Sequence, residues 1–164
     1  MPTCPICKTR LVHQASQEGG LEPLLGLLTL YPFRCQLCTH RFRAFLWRYS
    51  ASPKREYERV PAQYPVTLYP ASTRKQDEGI QGTTINLSIT GGLIETNANI
   101  PEGTSVRLKI HVSGLGSPIE VEGATVRAVL ENKLGLEFFK IAPEEEQRFR
   151  VAMEAHLLTR PRAL

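Results

Sequence analysis

All four thiols of the chain lie in its first 38 residues as two matched pairs, Cys4-Pro5-Ile6-Cys7 and Cys35-Gln36-Leu37-Cys38. A two-residue gap lets both sulfurs of one turn point at a single metal ion while backbone amides of the turn face them. Two such turns complete a tetrahedral set of four thiolates, the donor set of a structural zinc site. Four sulfurs leave no open coordination position, so the zinc expected here holds structure and activates no water. Disulfides are one competing use of the cysteines, and a reducing cytosol counts against them. A redox dithiol is the other, but it normally needs one such pair in a βαβ setting.

The 27 residues between the pairs exceed the usual spacing, and an inserted hairpin or helix tip accommodates them. The arrangement resembles a zinc ribbon over about residues 1–49. A segment that small cannot hold itself together by apolar burial alone, so metal binding is expected to supply much of its folding free energy. Four thiolates around Zn²⁺ carry a formal charge of about −2, which Lys8, Arg10, Arg34, Arg41 and Arg43 beside the ligands offset. Phe42, Phe45, Trp47 and Tyr49 interleave with Arg41, Arg43 and Arg48, a pattern that also suits base stacking. Nucleic acid is therefore a partner the sequence permits without favouring, because a strand after the second pair needs those aromatics for its small core. His13 and His40 are spare beside four cysteines.

A second set of chemistry-bearing residues lies further on. Arg55 and Arg59 stand four apart in Arg55-Glu56-Tyr57-Glu58-Arg59, so an extended chain or a helix puts both guanidinium groups on one side. Asn86-Leu87-Ser88-Ile89-Thr90-Gly91-Gly92 combines an alternating strand with a glycine pair. If Ile85 and Leu87 face a core, Asn86 and Ser88 project outward as a polar platform, and the glycines permit a tight turn or close backbone approach. Taken singly, each has a bland explanation: a self-paired charged surface segment, and an ordinary hairpin.

The elements that must position these residues are mostly strands. After Ser52-Pro53, short period-2 runs separated by turn residues predict a sandwich or barrel. Val66 and Leu68 form one run, Ile85, Leu87 and Ile89 a second, and Val106, Leu108, Ile110 and Val112 a third. Leu134, Leu136 and Phe138 make another. Between Ile119 and Glu131 the apolar parity switches from Ile119 and Val121 to Ala124, Val126, Ala128 and Leu130, and Gly123 at the switch predicts a bulge that bends a long strand. Pro143 followed by Glu144, Glu145 and Glu146 opens a helix, with Phe149, Met153 and Leu157 as its buried stripe, covering one opening or edge of the barrel.

Together the arginine pair and the NxSxxG run resemble the paired signature of PilZ domains, RxxxR followed by [D/N]xSxxG. The likeness extends to Gly92-Leu93-Ile94-Glu95, to Gly103-Thr104 and to Leu134-Gly135-Leu136-Glu137-Phe138, and covers about residues 53–155. It implies a six-stranded antiparallel β-barrel with a C-terminal helix, a mainly β fold, preceded by the small Cys₄ module. It also implies binding of cyclic di-GMP on the outer surface, with Arg55 and Arg59 on phosphates and guanine edges and Asn86, Ser88 and Gly91 holding a guanine against the strand. Asn86 stands where the family often has Asp, keeping a carbonyl acceptor without the charge. Lys54 occupies a position that in the family influences how many nucleotides stack. The ligand chemistry agrees: a planar guanidinium bonds bidentately to a phosphate or to guanine O6/N7, which lysine does not match.

Two domains follow, residues 1–52 as the zinc-ribbon-like module and 53–164 as the barrel. All of the formal net charge of +4 sits in the first, since the remainder carries equal numbers of acidic and basic side chains. No stretch reaches the roughly 20 apolar residues needed to span a bilayer, Leu21 to Leu30 being only ten residues long and containing Pro23 and Gly26, and the start lacks the order of a signal peptide. A cytoplasmic protein is expected. No GxSxG, P-loop or HExxH motif is present, His111 and His156 read as fillers, and no enzyme is expected. The expected function is a bacterial cyclic di-GMP receptor that couples second-messenger level to a partner, of unknown identity, through the zinc ribbon. The alternative is an interaction module that keeps the barrel without the nucleotide and uses the ribbon to contact protein or nucleic acid.

Overall fold

The structure, a computed structural model, describes residues 2–16, 29–46, 57–71 and 79–159. Arg55, Trp47, Tyr49 and most of the apolar run from Leu21 lie outside them. The chain divides into two compact units, Met1–Glu58 and Arg59–Leu164.

The first unit carries a three-stranded antiparallel sheet in the order β1 (Val12–Gln14), β2 (Leu30–Cys35), β3 (Arg41–Phe45). One cysteine turn precedes β1, and the other joins β2 to β3. Apart from cysteines, its buried apolar side chains among the described residues are Val12, Ala15, Pro32, Phe33 and Leu37. Phe42 stacks on Phe33 with ring centroids 6.0 Å apart. Phe45 is 77% exposed, so the aromatics of β3 do not all serve the core as expected.

Among its described residues the second unit has seven strands and one helix. The strands are β4 (Val60–Pro61), β5 (Pro65–Pro70), β6 (Ile80–Ser88), β7 (Gly91–Glu95), β8 (Ser105–Ile110), β9 (Ile119–Leu130) and β10 (Lys133–Ile141). All pairings are antiparallel, and the order β4-β6-β5-β8-β9-β10-β7 closes through β6 with β7. Six strands make the barrel. β4 is an addition, lying beside Asn86 and Leu87 where β5 has already left β6. Closure removes the open edges that would otherwise invite pairing with other chains.

The period-2 runs supply the core as expected: Val66, Leu68, Val106, Leu108, Ile110, Leu134, Leu136 and Phe138 are buried. Gly123 marks a bulge, because Val106 faces Ala124 while Leu108 faces Val121, leaving Glu122 and Gly123 together opposite Arg107. The extra residue changes which parity points inward, from Ile119 and Val121 to Ala124 and Val126. A Cβ on Gly123 would stand 2.5 Å from the ring of Phe139, which lies across it. The inward face ends early in β9, where Ala128 is half-buried and Leu130 is exposed.

One expectation fails at β6. Thr84 pairs with Ile94 and Asn86 with Leu93, so Ile85 is the extra residue of a second bulge and is only half-buried. Thr84 takes the inward position and is fully buried. A polar side chain is tolerated there because its hydroxyl donates to the Ala62 carbonyl at 2.5 Å and accepts the Tyr64 N–H at 2.9 Å. The Ala62 N–H bonds the Ile85 carbonyl at 3.2 Å and the Thr84 N–H bonds the Tyr64 carbonyl at 2.9 Å. Residues 62–64 thereby satisfy their backbone on the bulge. Thr84→Val keeps the volume but orphans both partners, and is expected to lower stability by about 1–3 kcal/mol. Urea unfolding of the two proteins measures it. An unchanged midpoint would show that the hydroxyl does not hold the bulge.

The helix α1 (Pro143–Thr159) packs against β9 and β4. Phe149 and Met153 are buried as expected, whereas Leu157 is half-buried. Full burial of a side chain such as Phe149 contributes about 1.5–3 kcal/mol. Arg148 ties the helix to the turn before β9, donating to the Ser117 carbonyl at 2.6 Å and pairing with Glu145 at 2.8 Å. His156 is no bystander: it hydrogen-bonds the Tyr64 hydroxyl, with ring centroids 5.6 Å apart. No helix among the described residues is long and apolar enough to cross a membrane.

Candidate functional site

The two cysteine turns are built alike. In the first, the Cys4 N–H bonds the Thr9 carbonyl at 2.9 Å, and in the second the Cys35 N–H bonds the His40 carbonyl at 3.0 Å. Each turn is followed by a residue at positive φ, Lys8 at 60° and Thr39 at 58°, which swings the chain back past the sulfurs. Left-handed backbone costs a non-glycine residue about 1–2 kcal/mol, so something must hold both turns in this shape. The Leu37 and Cys38 amides donate to the Cys35 sulfur, each at 3.4 Å.

The sulfurs of Cys4, Cys7, Cys35 and Cys38 all lie within 4.8 Å of one another, with Cys4–Cys38 and Cys7–Cys35 at 3.5 Å. Four ligands at about 2.3 Å around tetrahedral zinc stand about 3.8 Å apart, so the spacing fits the ion. It is too long for a disulfide, whose sulfurs are about 2.05 Å apart. Cys35 is desolvated, which pushes its thiol up despite the amide hydrogen bonds it receives. At Cys4 desolvation is outweighed by hydrogen bonds from the Cys7 and Ile6 backbone and from the Cys38 and Cys7 side chains, bringing its pKa down to about 7. Four converging sulfurs at this spacing are a donor set that could hold a metal ion.

The second constellation belongs to the barrel. Val60 pairs with Leu87 and Pro61 with Asn86, and the exposed Arg59 immediately precedes this two-residue pairing with the strand of the NxSxxG run. Asn86 Oδ1 is buried and has no hydrogen-bond partner. Ser88 has the outward parity expected of it but is only 4% exposed, and its hydroxyl donates to the Gly91 carbonyl at 3.2 Å. It closes the β6–β7 turn instead of standing open as part of a platform.

Gly91 is buried where β7 runs between β6 and β10, paired with Ser88 on one side and Glu137 on the other. A Cβ there would stand 2.2 Å from the Leu136 carbonyl oxygen, a backbone atom that cannot swing aside. Close approach of two strands therefore requires the glycine. Gly91→Ala is expected to destabilise the barrel by about 1–3 kcal/mol through overpacking. Thermal melts check this, and an unshifted melt would mean the strands part at no cost.

Sequence patterns gave no sign of β4, which is too short to alternate, nor of the contacts made by Gln36. That side chain is only 4% exposed although it lies between two cysteines, and no sequence pattern marks it.

The profile of the PilZ domain family matches residues 53–155. No curated protein matches the chain in sequence. Solved structures similar to it include the Bacillus subtilis inhibitor of motility (MotI/DgrA), 19% identical, covering 80% of this chain and 70% of that one at a TM-score of 0.53. The PilZ domain, with c-di-GMP, of YcgR from Escherichia coli is 16% identical and covers 62% of this chain and 91% of that one at 0.48. The PilZ domain of CeSA from a cellulose-synthesizing bacterium is 18% identical, covering 61% and 95% at 0.46.

Proposed function

The chain belongs to the PilZ domain family, a family of cyclic di-GMP receptor domains, and from that premise we propose that it is itself a cyclic di-GMP receptor, with a zinc-ribbon module through which occupancy is passed to a partner protein. The observation that carries the binding step is the β4–β6 pairing, which puts Arg59 beside a strand whose Asn86 carbonyl is buried and unpaired. An unsatisfied buried acceptor costs about 1–3 kcal/mol. The N–H groups of a guanine edge are donors of the kind that would satisfy it. The guanidinium of Arg59, with that of Arg55, bonds phosphate oxygens or guanine O6/N7 bidentately. Ser88 contributes by fixing the Gly91 turn against which the base lies.

In the ribbon, Cys4, Cys7, Cys35 and Cys38 hold zinc. The ion supplies charge and a rigid centre and no chemistry, since four sulfurs fill its coordination sphere. The compact units divide between Glu58 and Arg59, so Tyr57 and Glu58 count with the cysteine unit and Arg59 with the barrel.

Calorimetric titration with cyclic di-GMP tests the receptor reading, on protein whose zinc content has been measured. Binding at micromolar nucleotide or tighter is expected. No heat at high micromolar nucleotide, from folded zinc-loaded protein, would leave an interaction module in place of a receptor.

A further inference from the structure

Two residues inside the arginine segment are gripped by the cysteine unit. Gln36 Oε1 accepts the Glu58 N–H at 2.7 Å. Arg34 Nη1 donates to the Tyr57 hydroxyl at 3.2 Å, and its guanidinium lies 5.8 Å from the centre of that ring. His13 Nε2 stands 3.4 Å from a Glu58 carboxylate oxygen. Strands β1 and β2 and the second cysteine turn thus all reach the same dipeptide.

Gln36 is itself held in place. Its backbone N–H bonds the Leu11 carbonyl at 2.9 Å, its Nε2 donates to the Arg34 carbonyl at 3.5 Å, and its neighbours Cys35 and Cys38 are ligands. A buried amide fixed in this way aims one acceptor at one backbone N–H. The next residue after Glu58 is Arg59, followed at once by the Val60–Leu87 pair. Residues 57 and 58 are fixed by the turn, and 60 and 61 by the ladder.

We propose that Gln36 is a positioning residue for nucleotide binding: the metal-loaded second cysteine turn holds Tyr57 and Glu58 in order through Gln36 and Arg34, so that zinc and cyclic di-GMP bind with positive cooperativity. This rests on the receptor reading above. Without the grip, the backbone of the arginine segment must be ordered when the ligand arrives, and ordering even one residue lowers affinity about tenfold. Because coupling is reciprocal, nucleotide must tighten zinc by the same factor. Oxidation or chelation of the thiolates would then lower the response to the messenger, making the ribbon a gate on the receptor.

The test is Gln36→Met in the full chain, which keeps length and apolar volume but removes the acceptor. Zinc content is expected to stay at one ion, amide exchange at Glu58 to quicken, and cyclic di-GMP affinity to fall about tenfold. In wild type, saturating nucleotide is expected to raise zinc affinity in chelator competition by a similar factor, and in the variant to leave it unchanged. Should Gln36→Met lose zinc, Arg34→Met removes the Tyr57 contact, together with a 3.5 Å bond to the Thr39 carbonyl, while leaving the four cysteines and Gln36 unchanged, and it is read the same way once its zinc content is shown to be one ion. Variants that keep zinc and bind nucleotide as tightly as wild type, or more tightly, overturn the inference while leaving the receptor standing. Wild type that binds no nucleotide overturns both.

Discussion

Replacing Cys35 with serine is expected to abolish stoichiometric zinc and unfold the cysteine unit, while the barrel keeps its strands. Cys35 is the best-placed of the four cysteines to show this, because it is fully buried and its sulfur receives two backbone amides. The apolar side chains buried with it among the described residues are Val12, Ala15, Pro32, Phe33 and Leu37. So small a cluster does not hold three strands and two turns together by apolar burial alone. Zinc bound by a structural site contributes about 10–16 kcal/mol at neutral pH, enough to decide whether the unit folds. Metal analysis with amide exchange reads the result, protection being lost over residues 2–46 and kept over β5 to β10. A folded, zinc-loaded variant would mean that three cysteines and a hydroxyl suffice. Collapse of barrel protection would mean that the two units fold together.

The barrel was legible because its core obeys one rule. Where β8 and β10 each bury every second residue, alternation alone identified the inward face, and the glycine at a parity change gave the bend in β9. The same rule misled at β6. Ile85, Leu87 and Ile89 share a parity, but the bulge displaces Ile85, and Thr84 fills the core position with its hydroxyl bonded to residues 62 and 64. No pattern of apolar residues reveals a polar side chain that is buried because its partners are backbone. β4 was silent for a related reason: Val60 and Pro61 are a strand only because β6 has a free stretch beside Asn86 and Leu87. The cysteine cluster needed only spacing, since two matched Cys-x-x-Cys turns converge their sulfurs. The grip on Tyr57 and Glu58 depends on one amide and one guanidinium placed by that turn, which no periodicity records.

The double variant Arg55→Ala/Arg59→Ala is expected to remove cyclic di-GMP binding from the measurable range. Hydrogen bonds to charged groups contribute about 1.5–3 kcal/mol each, so losing both arginines costs about 3–6 kcal/mol, a hundredfold or more in affinity. Stability should barely change, because Arg59 is exposed and lies outside the β4–β6 pairing, which begins at Val60. That separates the effect from core damage: Leu87→Ala, at a fully buried position of the same strand, is expected to cost about 2–5 kcal/mol of stability and to bind poorly through misfolding. Arg59→Lys keeps the charge but not the planar fork, and should recover only part of the affinity lost in Arg59→Ala. Ser88→Ala acts differently again, since its hydroxyl is engaged by the Gly91 carbonyl and not presented to a ligand. It should loosen the turn more than it weakens a direct contact, showing as faster amide exchange at Gly91 and Gly92 alongside a small loss of affinity. Titration of each variant beside its thermal melt distinguishes these cases. A double arginine variant that melts like wild type and still binds at wild-type affinity would place the nucleotide somewhere other than the arginine segment and the Asn86 strand.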